Sequence, residues 1–222
     1  MIDVLRRFSR SRLALASLAM ILFNNWLLGL AFNWELIKKG GSISELSSPD
    51  QPAHWLFQSL DIAAGIMILV LAYSLKDRLD LKRRSGRWLV GSSVLLGAAN
   101  IADAFMPLPC SGTLDRACDS PVHLGLHGFS IPTHAISSTI IGVCFLALPI
   151  LSLIYYRLQR RITLAAFPTL LATLIFFIFL FAESAKGSYS GSTSAGYSQE
   201  VQMLMFGAWL IFWAKSLTNL AR

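Results

Sequence analysis

The chain has 222 residues, of which 55% are hydrophobic and only 14% are charged. A soluble domain of this length could not cover so large an apolar fraction with a polar surface, so the composition excludes that class and predicts a polytopic membrane protein. The formal net charge is +7. No sequence motif for RNA or DNA binding accompanies this charge, and we therefore predict no nucleic-acid partner.

Mainly apolar runs recur along the chain, at about the length with which a helix crosses roughly 30 Å of hydrocarbon. They predict one all-α domain over residues 1–222, a bundle of six transmembrane helices. In chain order the predicted helices cover about residues 13–33, 55–75, 88–106, 131–155, 162–182 and 201–216.

The basic residues predict how this bundle is oriented. All but four of the 19 Lys and Arg residues fall on one side of the predicted membrane, and the four exceptions are Lys38, Lys39, Arg116 and Lys186. Because cytoplasmic loops carry the excess of basic residues, both termini are predicted to be cytoplasmic. The same residues are expected to contact anionic membrane lipids.

Three loops then lie on the outer side, and the third covers residues 183–199. The first, residues 35–54, is rich in turn-forming Gly, Ser and Pro, which argues against regular structure there. The second, residues 107–130, contains Cys110 and Cys118. In an oxidising compartment this pair is expected to form a disulfide, and its spacing differs from that of a zinc ribbon, the competing metal interpretation.

Polar side chains inside the predicted helices gather near their outer ends. Asp61 lies about two turns into the second helix, Asn100 and Asp103 end the third, and His134 begins the fourth. Such groups are costly in a bilayer, so they usually face the bundle interior and bind one another or a ligand. With Glu45 of the first outer loop, these residues form the predicted ligand-binding set; the alternative is that some are interfacial and hydrated.

The histidines suggest a second chemistry. His123 and His127 are four residues apart and lie just before His134. Three imidazoles could hold zinc with an open position that activates water, with Asp103 and Ser138 as the catalytic residues. Zinc is therefore a possible cofactor.

Two stretches of the chain carry a family pattern. Residues 42–47, SISELS, are followed by Gln51-Pro52, Trp55-Leu56-Phe57, Asp61 and Gly65. Asp103 is followed by the segment 107–110, PLPC, then Cys118 and the segment 134–138, HAISS. Over Ser42 to Ser138 the chain resembles a bacterial family of polytopic membrane proteins known as domain of unknown function 998. The resemblance implies a six-helix fold in a bacterial inner membrane and an unassigned activity.

Two classes of function fit these patterns. In the first, an outward-facing polar pocket binds or moves a lipid headgroup or a small amphiphilic molecule. In the second, the protein is a zinc-dependent membrane hydrolase of a lipid amide or ester. A further alternative is an accessory subunit of a membrane complex, in which the polar groups only fix helix packing.

Overall fold

The structure is a computed structural model that describes residues 2–115, 118, 130–158 and 195–219. The described residues form helices and turns and contain no strand, as the sequence predicts. The α-helices are α1 (Ile2–Phe23), α2 (Gly29–Phe32), α3 (Trp34–Lys38), α4 (His54–Leu75), α5 (Arg84–Phe105), α6 (Ser130–Leu158) and α7 (Ala195–Asn219). Short 3-10 helices cover Asn25–Leu28, Ile43–Ser47 and Lys76–Arg78.

Three described segments are long and apolar enough to cross a membrane: His54–Arg78, Arg84–Phe105 and Thr133–Arg157. A fourth exists if the bent pair Ser11–Phe23 and Asn25–Phe32 is one span. These helices make the chain a membrane protein. The predicted span at 162–182 lies outside the described residues, and the one at 201–216 falls within α7, which is not among these segments. The number six therefore stays a prediction.

The first apolar run differs from the continuous helix that the sequence predicts. Helix α1 ends at Phe23, and the chain then bends by 48° into the following helical segment. The amide of Asn24 explains the break, because its Nδ2 donates to the carbonyl of Met20 at 2.9 Å and to that of Met203 at 3.3 Å. A polar side chain thus competes for backbone carbonyls where an apolar one would continue the helix.

The first outer loop also differs from its prediction. It contains α3 and the 3-10 helix Ile43–Ser47, although its composition predicted no regular structure. The 3-10 helix begins with a capping box in which Ser42 and Glu45 bond each other's backbone or side-chain groups. This reciprocal cap stabilises a short helix within a sequence rich in turn residues.

Helices α4 and α5 cross at glycines, which permit close backbone contact. A Cβ on Gly65 would lie 2.7 Å from the carbonyl oxygen of Gly97, and a Cβ on Gly97 would lie 2.8 Å from that of Gly65. Only a residue without a side chain fits at either position. The crossing fixes the register of the two helices that carry Asp61 and Asp103.

The interior of the bundle is aromatic, and much of its exterior is apolar. Phe145 stacks on Phe206 with ring centroids 4.3 Å apart, and Trp209 stacks on Trp213 at 5.3 Å. Large apolar side chains are also exposed on the outer faces of the helices, among them Ile66, Val70, Val94, Leu95, Ile136 and Val143. Such outward apolar faces are those expected of helices surrounded by lipid.

Two ends of the bundle are chemically different. At the first, which we name the basic end, Arg12 donates from Nε to the carbonyl of Ser74 at 3.0 Å, and the backbone N–H of Asp80 donates to the hydroxyl of Tyr155 at 2.8 Å. These bonds place the start of α1, the α4–α5 turn and the C-terminal part of α6 together. We name the opposite end, which holds Asp61 and His134, the polar end.

Candidate functional site

A cavity of about 300 Å³ lies at the polar end. Its polar lining includes Asp61, Asn100, Asp103, His134, Ser138 and Gln202. Its apolar lining includes Ile43, Ile141, Phe145 and Met203. The walls therefore come from the first outer loop and from α4, α5, α6 and α7, so that residues far apart in the sequence share one space.

Asp61 is held in this cavity by neutral donors. Its Oδ1 accepts a hydrogen bond from Asn25 Nδ2 at 2.6 Å, and its Oδ2 accepts one from Ser47 Oγ at 3.3 Å. The backbone carbonyl of Asp61 accepts a bond from Asn100 Nδ2 at 2.6 Å. Asn100 therefore fixes α5 against α4 at the level of the carboxylate, while Asp61 is left without a cationic partner among these contacts.

Asp103 and His134 form the second polar group of the cavity. His134 Nδ1 lies 3.2 Å from Asp103 Oδ1, and both side chains are largely buried. The same carboxylate oxygen accepts hydrogen bonds from Ser137 Oγ at 2.5 Å and from Ser138 Oγ at 2.9 Å. Three side chains from the first turns of α6 therefore converge on one carboxylate from the end of α5.

The contacts of the imidazole decide which nitrogen carries its proton. His134 Nδ1 lies 3.0 Å from the backbone carbonyl of Met106, and because a carbonyl only accepts, Nδ1 is the protonated nitrogen. Nε2 lies 3.3 Å from Ser138 Oγ. Ser138 has one hydroxyl proton, which reaches either Nε2 or Asp103. A second proton on Nε2 would give an imidazolium beside a carboxylate with every polar contact retained.

Glu45 lies outside the lining of this cavity, although the sequence grouped it with the ligand-binding residues. Its buried carboxylate accepts hydrogen bonds from Ser42 N and Oγ at 3.0 and 3.1 Å. Thr113 N and Oγ1 donate to it at 3.0 and 2.9 Å, and the hydroxyl of Ser111 donates as well. The three donors of Ser111 and Thr113 join the second outer loop to the first, and the two of Ser42 bond Glu45 within the first loop.

Several lining or supporting residues escaped the sequence analysis. Asn25 and Ser47 hold Asp61, and Gln199 and Gln202 bring amides from α7 into the lining. Gln202 is only 7% exposed, and its Nε2 has no hydrogen-bond partner among the described residues. The sequence feature that could have indicated these residues is an amide side chain within an apolar run, because in a bilayer each amide must bond a partner or a ligand.

Of the three predicted zinc ligands, His134 lies within the described residues. His123 and His127 lie outside them. Within the described ranges there is no group of three or more His, Cys, Asp or Glu side chains that could hold a metal ion. The zinc interpretation stays a prediction.

The cysteines agree with the sequence prediction. The sulfur atoms of Cys110 and Cys118 lie at disulfide-bonding distance, and Cys144 is free and buried. The bonded loop is also docked onto the first outer loop, because Ser111 N donates to Asp50 Oδ2 at 3.0 Å. The disulfide thus restrains a segment that already contacts Glu45 and Asp50.

Apolar outer faces and a polar internal cavity define a helical membrane protein. The chain belongs to the family described as protein of unknown function (DUF998), whose model matches residues 34–215. That range contains all the cavity residues named above, but not Asn25. Comparisons with curated proteins and with solved structures found no match.

Proposed function

We propose that the cavity at the polar end binds or moves an amphiphile whose head group is cationic or rich in hydrogen-bond donors. The observation that carries this proposal is Asp61, a carboxylate in the cavity whose bonded side-chain partners are both neutral. Asp103 adds a second carboxylate to the lining of the same cavity. A cation in the cavity would supply the missing positive charge.

The balance of charge in the cavity favours a cation over an anion. No Lys or Arg belongs to the lining, and His134 is the one lining side chain among the described residues that could become positive. It already contacts Asp103 at 3.2 Å. An anionic head group would therefore face two carboxylates with at most one imidazolium, and its binding would cost electrostatic energy.

The shape and the apolar part of the lining favour an amphiphile. A volume of about 300 Å³ accommodates a head group and the first part of a chain, at the lower limit of small-molecule sites. Phe145 and Met203 offer apolar contact beside the acids. An amphiphile would place its charge at Asp61 and its chain against these side chains.

A binding experiment with two oppositely charged amphiphiles tests the proposal. The protein in dodecyl maltoside is titrated with dodecyltrimethylammonium or with dodecyl sulfate, which share one chain length. The cationic probe is expected to bind saturably. Asp61→Asn is expected to weaken its binding at least about tenfold, because the attraction between opposite charges is lost. Asp80→Asn removes one charge at the basic end and should leave binding unchanged.

If Asp61→Asn and Asp80→Asn weaken binding of the cationic probe equally, the effect comes from the net charge of the protein. That result would contradict the proposal. Unchanged binding by Asp61→Asn would contradict it as well. The unfolding midpoint of each variant without probe separates lost binding from lost folding. If Asp61→Asn loses its fold instead, the accessory or packing interpretation is favoured.

A second candidate rests on the contacts of Ser138. Its Oγ lies 3.3 Å from His134 Nε2, and His134 Nδ1 lies 3.2 Å from Asp103, an order of groups that suits activation of a hydroxyl. This arrangement supports hydrolysis of a lipid ester or amide, with or without zinc, as the second candidate. The test is release of nitrophenol from p-nitrophenyl decanoate. Release by the parent protein that is lost in Ser138→Ala would support this candidate. Release no greater than that of empty micelles would contradict it.

We also propose the finer topology: six spans in a bacterial inner membrane, with both termini and the basic end in the cytoplasm. Lys39 and Lys82 are exposed at opposite ends of the bundle. In intact cells, Lys39→Cys is expected to react with an impermeant maleimide and Lys82→Cys only after permeabilisation. The opposite pattern would reverse the orientation, and equal labelling of both would exclude this topology.

A further inference from the structure

A buried arginine at the basic end has donors that the described protein does not use. Arg12 is only 8% exposed, although it carries a full charge. Its Nε donates to the carbonyl of Ser74, but its Nη1 is buried without a hydrogen-bond partner among the described residues. A guanidinium has five donors, and leaving a charged donor unpaired in a buried place is costly.

The surroundings of Arg12 are positive on balance. Helix α4 runs into the 3-10 turn Lys76–Arg78, directly after the carbonyl that Arg12 contacts. Arg78 lies in this turn, four residues after Ser74, next to the opposing charge of Asp77. With Lys76, whose ammonium lies 3.8 Å from the ring centroid of Tyr73, the turn adds two cations and one carboxylate to Arg12.

The acid in this turn does not take up the free donor. The ion pairs among the described residues join Arg83 to Asp80 and His134 to Asp103, and neither includes Asp77 or Arg12. Arg12 therefore contacts the helix end that leads into the turn with Arg78, and no acid of the described residues forms an ion pair with Arg12. A pair of guanidinium groups is stabilised by an anion with several acceptor oxygens.

We propose that Arg12 and Arg78 form a binding site for a phosphate group, either of a phospholipid head group or of a free phosphate ion. The guanidinium fork matches the oxygens of a phosphate, and the Nη1 donor of Arg12 then gains its acceptor. The site is separate from the cavity at the polar end. It takes the opposite charge, and it lies where helix ends meet lipid head groups.

Arg83 provides a control for a general effect of positive charge at the basic end. Arg83 is exposed, and its Nε is already paired with Asp80 at 3.0 Å. It lies in the same turn region and has the same charge as Arg12. Arg83→Gln is therefore the matched control for Arg12→Gln, since both variants remove one positive charge from the basic end.

The experiment measures binding to the full chain in dodecyl maltoside with three probes. Dioleoylphosphatidylglycerol supplies a lipid phosphate, dioleoylglycerol supplies the same chains without phosphate, and inorganic phosphate supplies the ion alone. We expect the first probe to bind the parent protein, the second to bind weakly, and Arg12→Gln to lower affinity for the first about tenfold. Arg83→Gln should stay within about twofold.

The probes and variants also decide the source of the phosphate. Binding of inorganic phosphate that depends on Arg12 supports a site for the free ion, and lipid binding alone supports a head-group site. Equal losses in Arg12→Gln and Arg83→Gln, or equal binding of the two lipids, would overturn the proposal. If Arg12→Gln does not fold, Arg78→Gln takes its place with the same expected loss, and full retention there overturns the proposal.

Discussion

The polar and basic ends of this bundle satisfy their charges in opposite ways. At the polar end, Glu45 and Asp61 are held by neutral hydroxyl, amide and backbone donors. At the basic end, Asp80 is half-exposed, bonds an exposed Arg83, and lies in a turn open to solvent. An acid count alone therefore says little, because the surroundings of the carboxylates differ between the two ends.

The largest expected effect contrasts one acid from each end. Glu45→Ala removes the acceptor of five donors, and we expect it to lower the free energy of unfolding by about 3 kcal/mol. Asp80→Ala removes a half-exposed ion pair and should cost less than about 1 kcal/mol. Unfolding in mixed micelles titrated with dodecyl sulfate measures both.

Glu45→Gln serves as the control for shape in that comparison. It keeps one acceptor oxygen but turns an NH2 group toward donors. We therefore expect its free energy of unfolding to lie between that of the parent and that of Glu45→Ala. A loss for Asp80→Ala as large as for Glu45→Ala would contradict the contrast between the ends.

A smaller effect is expected from the disulfide, which belongs to the polar end alone. Replacing both Cys110 and Cys118 by Ser should lower the free energy of unfolding by about 2 kcal/mol, because the short loop gains freedom in the unfolded chain. Hydrogen exchange should rise in residues 107–118 and remain unchanged in residues 76–87. Equal increases in hydrogen exchange at the two ends would show that the disulfide stabilises the whole bundle and not only its own loop.

The smallest effect is expected at the basic end. Tyr155→Phe removes only the hydroxyl that accepts from the backbone N–H of Asp80, and the buried ring keeps its packing. The free energy of unfolding should fall by about 1 kcal/mol or less. A loss above that of the disulfide variant would mean that the turn at the basic end is as tightly built as the outer loops.

The sequence predicted the grouping of polar residues better than it predicted local structure. Asp61, Asn100, Asp103 and His134 line one cavity because all four lie near the same ends of helices whose bounds follow from apolar runs. The family and the bonding distance of Cys110 to Cys118 also agree with the sequence. The length of a membrane-spanning helix and the cost of burying a polar group can both be inferred from the sequence, without knowledge of contacts between distant segments.

Other features depend on contacts between distant segments and were not predictable from spacing. The role of Glu45 requires Ser111 and Thr113, more than sixty residues away. The bend after Phe23 depends on the carbonyl of Met203, supplied by α7. Gln202 enters the cavity through the packing of α7, which its own sequence does not specify.

If the acidic cavity takes the head group of a cationic amphiphile, the charge of the bound probe should lie in the cavity and on no other surface. A dodecyltrimethylammonium analogue with a diazirine beside its nitrogen tests this directly, because adducts identify the residues around the charge. We expect adducts at cavity-lining residues such as Asp61, Asp103 and Met203, suppressed by excess unmodified probe. Adducts spread over the outer faces at Val94 and Val143, unaffected by that excess, would contradict it.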